Sequence, residues 1–361
     1  MKSIAYFITS HGYGHAARAA GVMAAMRQID PAIRFEIFTT IPQIFFETSV
    51  GSNTGYHEVL NDVGLVQDTP TQENIPATLN ALGKMYPFDG EMVLHLAETT
   101  TLLNCSVAAC DISPLGIAVA QKAGIPSILI ENFRWNWIYQ NYQKFDNRFT
   151  THIHYLRDIF ESADYFIQTE PVCVRHNADL TTAPISRLPR TSRTEVRTQL
   201  GIQLTDKVIY LSMGGSVWDT SFLKDLEEES KYTFIISGGN TPPQRQGNVL
   251  FLDVNSYMPD VLAACDAVIC KTGYSTLAEV YYAGIPFGYI SRPQFPESQI
   301  LEAYIQSEMQ GLKIPEADFF SGEFIHHIDE MLSLPRIERD ASTNGAQTAA
   351  RFILDIVRSA Q

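Results

Sequence analysis

Short apolar runs alternate with helical patterns along almost the whole chain of 361 residues. Strands are predicted at residues 4–8, 35–38, 57–60, 107–109, 127–130 and 165–168 in the first half, and at 208–211, 234–236, 249–252, 267–269 and 287–290 in the second. Helices are predicted around 16–28, within 75–104, at 114–123, from Arg134 onwards and at 347–359. Strands that alternate with helices in this way predict βαβ units, and therefore two α/β halves with parallel sheets.

A chain of this length exceeds one ordinary hydrophobic core, so two domains are expected. Residues 180–194 interrupt the alternation with prolines and arginines, which is typical of a linker. We therefore predict an N-terminal domain at 1–185 and a C-terminal domain at 195–345. A final helix at 346–361 follows the second sheet, a position that would allow it to cross back to the first domain.

The composition excludes some partners. The formal net charge is −14 and the isoelectric point is near 5.1, which argues against nucleic acid or an anionic membrane as the main ligand. The sequence has no apolar run of membrane-spanning length and no secretory signal pattern. The five cysteines lack paired Cys-x-x-Cys spacing and predict reduced thiols, not zinc ligands. We expect a cytoplasmic protein with no integral membrane segment, whose oligomeric state the sequence leaves open.

The most informative segment is Ser-His-Gly-Tyr-Gly-His-Ala-Ala-Arg at residues 10–18, between the first predicted strand and the first predicted helix. Gly12 and Gly14 allow backbone angles closed to other residues and leave room for a ligand. His11 and His15 carry the side chain whose ordinary pKa lies closest to neutral pH, so both are candidates for general acid or base catalysis. Helix capping or local hydrogen bonding is the alternative for either histidine.

The loops that follow the predicted strands deserve comparison, because open parallel sheets bind ligands beyond the carboxyl ends of their strands. In the first half these loops contain the two histidines, Asp111 and the aromatic segment 131–137. In the second half three loops, at 212–216, 237–240 and 271–276, are rich in glycine and hydroxyl side chains. A phosphate-bearing ligand is therefore predicted in the second half.

The third of these loops carries the second strong motif. Thr272, Ser275 and Thr276 place hydroxyls beside Gly273 at a predicted helix start, where backbone amides and the helix dipole favour a diphosphate. Glu279 follows within about one turn and could accept hydrogen bonds from two ribose hydroxyls. The alternative is a plain N-cap at Ser275, with Glu279 as an exposed helical acid. The sequence contains no Walker motif, which argues against a P-loop kinase or nucleoside triphosphatase.

These motifs together resemble those of the GT-B glycosyltransferases: the histidine turn, the Gly-Gly-Ser loop at 214–216, and the Thr-Gly-Tyr-Ser-Thr block at 272–276 with Glu279. The lipid-linked N-acetylglucosaminyltransferases of peptidoglycan synthesis are similar. The sequence resembles more closely the N-terminal, glycosyltransferase-like region of plant L-arabinokinases, which also matches residues 124–135 and 187–202. The likeness covers nearly the whole chain but not the kinase domain of the plant proteins, so it does not imply sugar kinase activity.

The resemblance implies an α/β fold of the GT-B type, with two Rossmann-like domains whose parallel sheets face an interdomain cleft. The C-terminal domain would bind a nucleoside-diphosphate sugar, a UDP-sugar first of all. The residues that match the family's donor site are Gly215, Ser216, Ser256, Met258, Thr272, Gly273, Ser275, Thr276, Glu279 and Gln299. In this match Glu279 holds the ribose, the loop 255–258 meets the base, and Gln299 touches donor-sugar hydroxyls. The segment 292–295 departs from the family pattern, which leaves the donor sugar open.

Inverting sugar transfer needs a base for the acceptor hydroxyl and stabilisation of the leaving diphosphate. His15 is the first candidate for the base or for positioning the acceptor, and His11 is the second. Asp111 is an alternative carboxylate base, for which helix capping is the competing interpretation. Helix ends and hydroxyls can stabilise the leaving group in this fold, and the chain has no Asp-x-Asp at a strand end. No metal and no other cofactor is therefore expected.

An acceptor of unknown identity is expected to bind the first domain. The acceptor-side candidates are Gly12, Gly14, Arg18, Asn132, Phe133 and Trp135. Aromatic side chains could stack on a sugar or an aglycone, but Trp135, Tyr139 and Tyr142 also lie at helical spacing, which a core stripe explains equally well. Arg18 could instead serve an acidic acceptor or a phosphate.

Three classes of function fit these features. The prediction is a glycosyltransferase of the hexosyl- or N-acetylhexosaminyl-transferring type. A hydrolysing nucleotide-sugar 2-epimerase shares the fold, but its carboxylate set is not found near the glycine-rich loops. A non-catalytic nucleotide-sugar-binding or regulatory protein would share nearly all of the same features.

Overall fold

A computed structural model describes residues 3–214, 218, 226, 231–237, 242–253 and 256–359 of the chain. The chain divides into two compact units. Unit 1 contains Met1–Asp68, Glu73–Ile185 and Ser342–Gln361, and unit 2 contains Thr69–Gln72 and Ser186–Ala341. Each unit is built on its own seven-stranded sheet.

The strands are β1 Ser3–Ile8, β2 Arg34–Thr39, β3 Thr54–Glu58, β4 Gln67–Thr69, β5 Gln72–Glu73, β6 Cys105–Asp111, β7 Ser127–Glu131, β8 Tyr165–Thr169, β9 Leu180–Thr182, β10 Val208–Ser212, β11 Thr233–Ser237, β12 Gln244–Gln246, β13 Val249–Leu252, β14 Ala267–Lys271, β15 Phe287–Ile290 and β16 Leu312–Lys313. The α-helices are α1 Tyr13–Ile29, α2 Gln43–Val50, α3 Ile75–Met85, α4 Gly90–Leu102, α5 Pro114–Ala123, α6 Trp135–Gln140, α7 Phe149–Glu161, α8 Arg193–Gln199, α9 Met258–Ala264, α10 Tyr274–Ala283, α11 Pro296–Tyr304, α12 Glu316–Ser321, α13 Ile328–Leu332 and α14 Gly345–Ser359. A π-helical turn covers Ile305–Met309, and 3₁₀ turns cover Glu323–His327 and Ala341–Thr343.

The sheet of unit 1 has the strand order β3-β2-β1-β6-β7-β8-β9, and neighbouring strands are parallel. The six residues of β1 are all buried, because helices cover both faces of the sheet. On one face the alternate residues Ile4, Tyr6 and Ile8 pack in a core with α1 and α14. On the other face α5 approaches closely: a Cβ at Gly116 would lie only 2.6 Å from the Cβ of Phe7. The last helix, α14, thus packs within unit 1, against α1.

The sheet of unit 2 has the order β12-β13-β11-β10-β14-β15-β16, with β12 antiparallel to β13 and the other described pairs parallel. Alternate residues of β10 enter two different cores, with Ile209 and Leu211 on one face and Val208 and Tyr210 on the other. β10 and β14 are neighbours that pair Ser212 with Cys270. The loops that follow these two strands therefore emerge side by side.

The predicted strands and parallel sheets are confirmed, with three differences. The third strand lies at Thr54–Glu58 instead of 57–60. The helix predicted within 75–104 is two helices, because Pro87 interrupts it and the Asp89 side chain caps α4 by accepting from the N–H groups of Glu91 and Met92. The short strands β4, β5, β9, β12 and β16 were not predicted, since two or three residues carry no readable alternation. No helix in the described ranges is both long and apolar enough to cross a membrane.

Candidate functional site

The turn after β1 is built on glycine. Gly12 is the N-cap residue of α1, with φ +83° and ψ 165°, a conformation that side-chain-bearing residues rarely adopt. Gly12 is exposed and has no side chain with which to cap α1. Neither histidine occupies the N-cap position, and the roles of both stay predictions. His11 lies just before the helix and His15 in its first turn, and both are partly buried.

His15 contacts a carboxylate from a neighbouring strand. β1 and β6 are paired so that Ile8 lies opposite Asp111, the last residue of β6. The Nδ1 atom of His15 lies 3.1 Å from Oδ1 of Asp111, and the side-chain exposures are 12% and 0%. Asp111 does not cap α5, because Ser113 does so by accepting from the N–H of Gly116. The capping interpretation of Asp111 therefore does not fit the structure, and its role as an alternative base stays a prediction.

Arg18 completes this buried group, which we call the Asp111 network: His15, Arg18, Asp111 and Asn132. Its Nε donates to Oδ2 of Asp111 at 2.8 Å and its Nη2 to Oδ1 at 2.6 Å, a bidentate pair. Its Nη1 donates to Oδ1 of Asn132 at 2.7 Å. Burial alone would raise the pKa of Asp111, but Arg18 and His15 outweigh it and hold the pKa below the ordinary value. Asp111 is therefore a carboxylate at neutral pH.

The network fixes the state of His15. A carboxylate can only accept, so the contact with Asp111 requires a proton on Nδ1 of His15. Nη2 of Arg18 also lies 3.3 Å from Nδ1, but its bond to Asp111 is shorter and joins opposite charges. Burial lowers the pKa of His15, opposed by Asp111, so the ring is neutral near pH 7. Its Nε2 then carries a lone pair that can take a proton.

His11 has the opposite tautomer. The N–H of Leu65 donates to Nδ1 of His11 at 3.2 Å, so in the neutral ring the proton sits on Nε2. The ring is closely held: Gly64 has φ +62°, and a Cβ there would lie 2.5 Å from Nδ1 of His11. The ring also meets Trp135 edge-on at a centroid distance of 5.0 Å. This tautomer suits His11 to donate a hydrogen bond through Nε2, whereas His15 is suited to act as a base.

The aromatic segment after β7 is mostly core. Trp135 and Tyr139 are fully buried, stack at 5.9 Å, and continue into Phe149. Trp135 was expected on the acceptor side. Because it has no exposed surface, it packs against the histidines and cannot touch an acceptor directly. Tyr142 is buried as well, so the core stripe accounts for all three residues. Phe133 is buried too, at 4% exposed, and its ring lies 5.9 Å edge-on from His15, beside the Asp111 network.

Sequence reasoning missed the loop that follows β3. Asn61 donates to the carbonyls of Ile8 and Phe38 and so joins this loop to the ends of β1 and β2. Asp62 accepts from Nε1 of Trp135 at 2.7 Å and is almost completely buried. Burial raises the pKa of Asp62 to about 7, although Thr9, Trp135 and the Ser10 backbone oppose the shift. The available signal was the Asn-Asp pair directly after the predicted strand 57–60, to which sequence reasoning assigned no role.

In unit 2, Glu279 is buried in α10 and paired with an arginine. Nε and Nη2 of Arg187 both lie 2.9 Å from Oε1 of Glu279. Burial raises the pKa of Glu279, and Arg187 opposes the shift. The exposed-acid alternative for Glu279 does not fit this position. Arg187 itself lies in the segment predicted as a linker, and sequence reasoning assigned it no role.

The turn after β14 leads into a helix that starts at a glycine. Gly273 is the N-cap residue of α10 and has no side chain with which to cap the helix. Ser275 lies inside the first turn and is buried, so it is not the N-cap. Thr272 is fully buried and bonds to Ser298 at 2.5 Å, which ties this turn to the segment after β15. The half-buried Gly273 and Thr276 are the members of this group that retain exposed surface.

The remaining donor-side candidates are spread around this turn. Met258 begins α9, and its sulfur accepts from the hydroxyl of Tyr210 at 3.1 Å. Ser256 is half-buried, and Gln299 is exposed on α11. Gly215 and Ser216 lie outside the described residues, as do residues 238–241 and 255. The structure also adds a cation that sequence reasoning missed: a Cβ at Gly214 would lie 3.1 Å from Cε of Lys271, so this lysine stands beside the loop after β10.

Metal-ligating side chains are not clustered in the part of the chain that the structure describes: no group of three or more His, Cys, Asp or Glu residues there could hold an ion. The five cysteines are free thiols, four of them buried.

The sequence was compared with family models and with known proteins. No family model matches the chain. Over 356 residues it is 25% identical to L-arabinokinase of Arabidopsis thaliana, a match that covers 97% of this chain and 34% of the relative. The chain thus spans about a third of that protein's length. The expected resemblance to L-arabinokinase is therefore confirmed, while its assignment to the N-terminal region stays a prediction.

Solved structures extend the likeness to the fold. The chain is similar to UGT89C1 of Arabidopsis thaliana, complexed with UDP (TM-score 0.64, 12% identity, 99% of this chain and 100% of the other). It is also similar to a UDP-glucosyltransferase of Polygonum tinctorium capable of glucosylating indoxyl (0.60, 14%, 100% and 94%) and to UGT71G1 of Medicago truncatula, complexed with UDP-glucose (0.60, 14%, 99% and 98%). The chain therefore has the GT-B fold of two Rossmann-like units with parallel sheets, as predicted. The similarity to the peptidoglycan N-acetylglucosaminyltransferases stays a prediction.

Proposed function

We propose that the protein is a glycosyltransferase that moves a sugar from a nucleoside-diphosphate sugar, a UDP-sugar first of all, to the hydroxyl of an acceptor. The observation that carries the proposal is the Asp111 network, in which a neutral His15 is held by a buried carboxylate with its Nε2 able to take a proton. The GT-B fold and the similar structures that contain UDP or UDP-glucose support the donor class. The sugar transferred is of the hexosyl or N-acetylhexosaminyl type.

His15 acts as the base in the proposed reaction. The acceptor oxygen attacks the anomeric carbon as the bond from that carbon to the diphosphate breaks, and the hydroxyl proton passes to Nε2 of His15. Attack opposite the leaving group inverts the anomeric centre. Asp111 holds the productive tautomer and stabilises the imidazolium that forms. General base catalysis of this kind contributes about 10²–10⁴-fold to the rate.

Unit 2 holds the donor in this proposal. The N-terminus of α10 presents backbone N–H groups and the positive end of the helix dipole at Gly273, which favours the diphosphate. Thr276 and Lys271 add a hydroxyl and a positive charge beside the same loops, so the leaving group needs no metal. Glu279 accepts from the ribose hydroxyls, and Gln299 and the base loop at 256–258 contact the sugar and the base.

A paired substitution tests these two roles. Glu279→Ala is expected to weaken UDP binding by about 10–100-fold, since hydrogen bonds to a charged group are lost. His15→Ala is expected to leave UDP affinity nearly unchanged and to lower turnover of the UDP-sugar by about 10²–10⁴-fold. Binding is measured by calorimetry, and turnover by release of UDP with an acceptor panel or with water as the acceptor.

Exposed residues of the same type serve as controls. His154→Ala on α7 and Glu330→Ala on α13 both change exposed side chains and should alter neither quantity. Unchanged UDP affinity in Glu279→Ala would contradict the donor site. Full turnover in His15→Ala would contradict the assigned base.

A non-catalytic nucleotide-sugar-binding protein is the second candidate. The observation in its favour is that the chain matches only 34% of L-arabinokinase, the curated relative. Incubation of the wild-type protein with a panel of UDP-, GDP- and TDP-sugars separates the classes: transfer or hydrolysis supports the transferase, and binding without turnover supports the second candidate. An isomerised sugar would instead indicate a 2-epimerase.

A further inference from the structure

The contact between Arg187 and Glu279 has an unusual form. Both guanidinium nitrogens that reach Glu279 end on the same oxygen, Oε1, each at 2.9 Å. The usual bidentate pair uses both carboxylate oxygens, as Arg18 and Asp111 do in unit 1. Arg187 therefore supplies its charge to Glu279 without using Oε2.

Both partners are buried, with side-chain exposures of 6% for Arg187 and 7% for Glu279. A carboxylate in such a position without a cation would tend to take up a proton, because burial penalises its charged form. A protonated carboxyl is a poorer acceptor for a ribose hydroxyl than a carboxylate. The charge state of Glu279 thus depends on Arg187.

Among the described residues, the other charged and titratable groups near Glu279 do not bond a positive charge to its carboxylate. Tyr210 of β10 and Tyr257, which precedes α9, both interact electrostatically with Glu279. Burial raises the pKa of each phenol. The guanidinium of Arg187 lies 5.3 Å from the Tyr257 ring, and that of Arg190 lies 4.2 Å from the same ring. Asp260 accepts from the N–H of Arg190 and adds a second negative charge near Tyr257. Arg187 is the cation that bonds to Glu279 itself.

We propose that Arg187 is a positioning residue for the nucleotide: it holds Glu279 as a carboxylate through Oε1 and leaves Oε2 to accept from the ribose hydroxyls. This inference rests on the proposed function for the identity of the ligand. The inference goes beyond the proposed function because it makes nucleotide affinity depend on Arg187, which lies in the sequence between the strands of the first sheet and those of the second. Its consequence is a pH dependence that the arginine suppresses.

The test is the pH dependence of UDP-glucose binding in Arg187→Met, measured by calorimetry from pH 5 to pH 9. The diphosphate of UDP-glucose is esterified at both ends, so its charge is constant near neutrality. Removal of a bonded cation should raise the pH at which binding develops by about 1–3 units. Below that pH the variant should bind about 10–100-fold more weakly than the wild type.

Three further measurements separate this role from a structural one. Arg187→Lys keeps a positive charge and should restore most of the wild-type pH profile. The double variant Arg187→Met with Glu279→Gln has no titrating carboxyl and should bind weakly with no pH step. In the unliganded protein, carbon-13 NMR of the glutamate carboxyls, assigned with Glu279→Gln, should show the Glu279 titration moved upward in Arg187→Met.

The outcomes are distinct. If Arg187→Met weakens binding by the same factor at every pH, or if the NMR titration of Glu279 does not move, the inference is overturned and the proposed function is untouched. If the wild type does not bind UDP-glucose at any pH, the proposed donor site fails. The NMR titration then still decides whether Arg187 sets the charge of Glu279.

Discussion

Asp111 in unit 1 and Glu279 in unit 2 are both buried carboxyl groups paired with an arginine, yet the pKa values shift in opposite directions. Arg18 reaches both oxygens of Asp111, and His15 adds a third contact. Arg187 reaches one oxygen of Glu279. Accordingly, the pKa of Asp111 lies below its ordinary value, whereas burial keeps the pKa of Glu279 above its own. The number of donors on the carboxylate decides which effect prevails.

Asp62 extends the comparison to a carboxyl that bonds to no cation among the described residues. It accepts from the neutral indole of Trp135, and burial raises its pKa to about 7. The three groups thus form a series, from a firmly ionised Asp111 through Glu279 to Asp62, which titrates near neutrality. The first two members match their proposed roles. Asp111 must stay charged to hold the base His15, whereas Glu279 must keep one oxygen available for a ligand.

Asp111→Asn should produce the largest effect in this series. The change leaves the Arg18 guanidinium, which is only 1% exposed, without its counterion. Loss of one partner of a buried ion pair costs about 3–5 kcal/mol of stability. An asparagine also permits the wrong His15 tautomer, which lowers turnover by roughly 10⁴-fold in comparable sites. Urea unfolding and UDP release measure the two effects.

The double variant Arg18→Met with Asp111→Asn is the control for this prediction. It removes both charges together, so it should recover much of the lost stability and none of the turnover. An Asp111→Asn protein as stable as the wild type would show that the bidentate pair contributes little to the free energy of unfolding. Asp111 would then no longer represent the strongly paired carboxylate in this comparison.

Local sequence patterns predicted much of unit 1. The apolar run of β1, the glycines at 12 and 14 and the helical pattern after them were enough to place His11 and His15 at a helix start. The partners of His15 were only partly foreseeable, because Arg18 and Asp111 are 93 residues apart and meet through the β1–β6 pairing. Asp111 was selected as the residue after a strand, but its contact with Arg18 depends on the strand order.

Unit 2 shows where sequence reasoning reached its limit. Glu279 was found because it follows a recognisable helix start. Its partner Arg187 was not, since it lies in a segment of prolines and arginines that is typical of a linker and is 92 residues away. Trp135 shows the same limit in unit 1: helical spacing left core and site equally open, and only the observed burial decides between them.

Asp62→Asn should produce a smaller effect that depends on pH. In the wild type the unfolded carboxyl ionises near pH 4 and the folded one near pH 7, so stability falls as the pH rises between these values. Three pKa units correspond to at most about 4 kcal/mol. Asparagine keeps the bond from Trp135 but does not titrate. The stability of the variant relative to the wild type should therefore increase from pH 4.5 to pH 7.5, as measured by urea unfolding.

A parallel pH dependence in the two proteins would contradict a buried, titrating Asp62. Asp68→Asn, at an exposed aspartate of the same unit, is the matched control and should leave the pH dependence unchanged.

Ser298→Ala should give the smallest effect and one that is independent of pH. In unit 2 the fully buried Ser298 hydroxyl bonds to Thr272 at 2.5 Å and accepts from the N–H of Arg292 at 2.9 Å. It also makes a longer contact, 3.4 Å, with the Glu302 carboxylate. The Thr272 hydroxyl and the Arg292 N–H are neutral partners, and leaving such partners unsatisfied costs about 1–3 kcal/mol at any pH near neutrality. Ser307→Ala, at an exposed serine, should change stability by less than about 0.5 kcal/mol. The comparison of the three carboxyl groups attributes pH-dependent stability to ionisable groups alone. A stability loss in Ser298→Ala that varied with pH as strongly as the loss expected for Asp62→Asn would therefore contradict it.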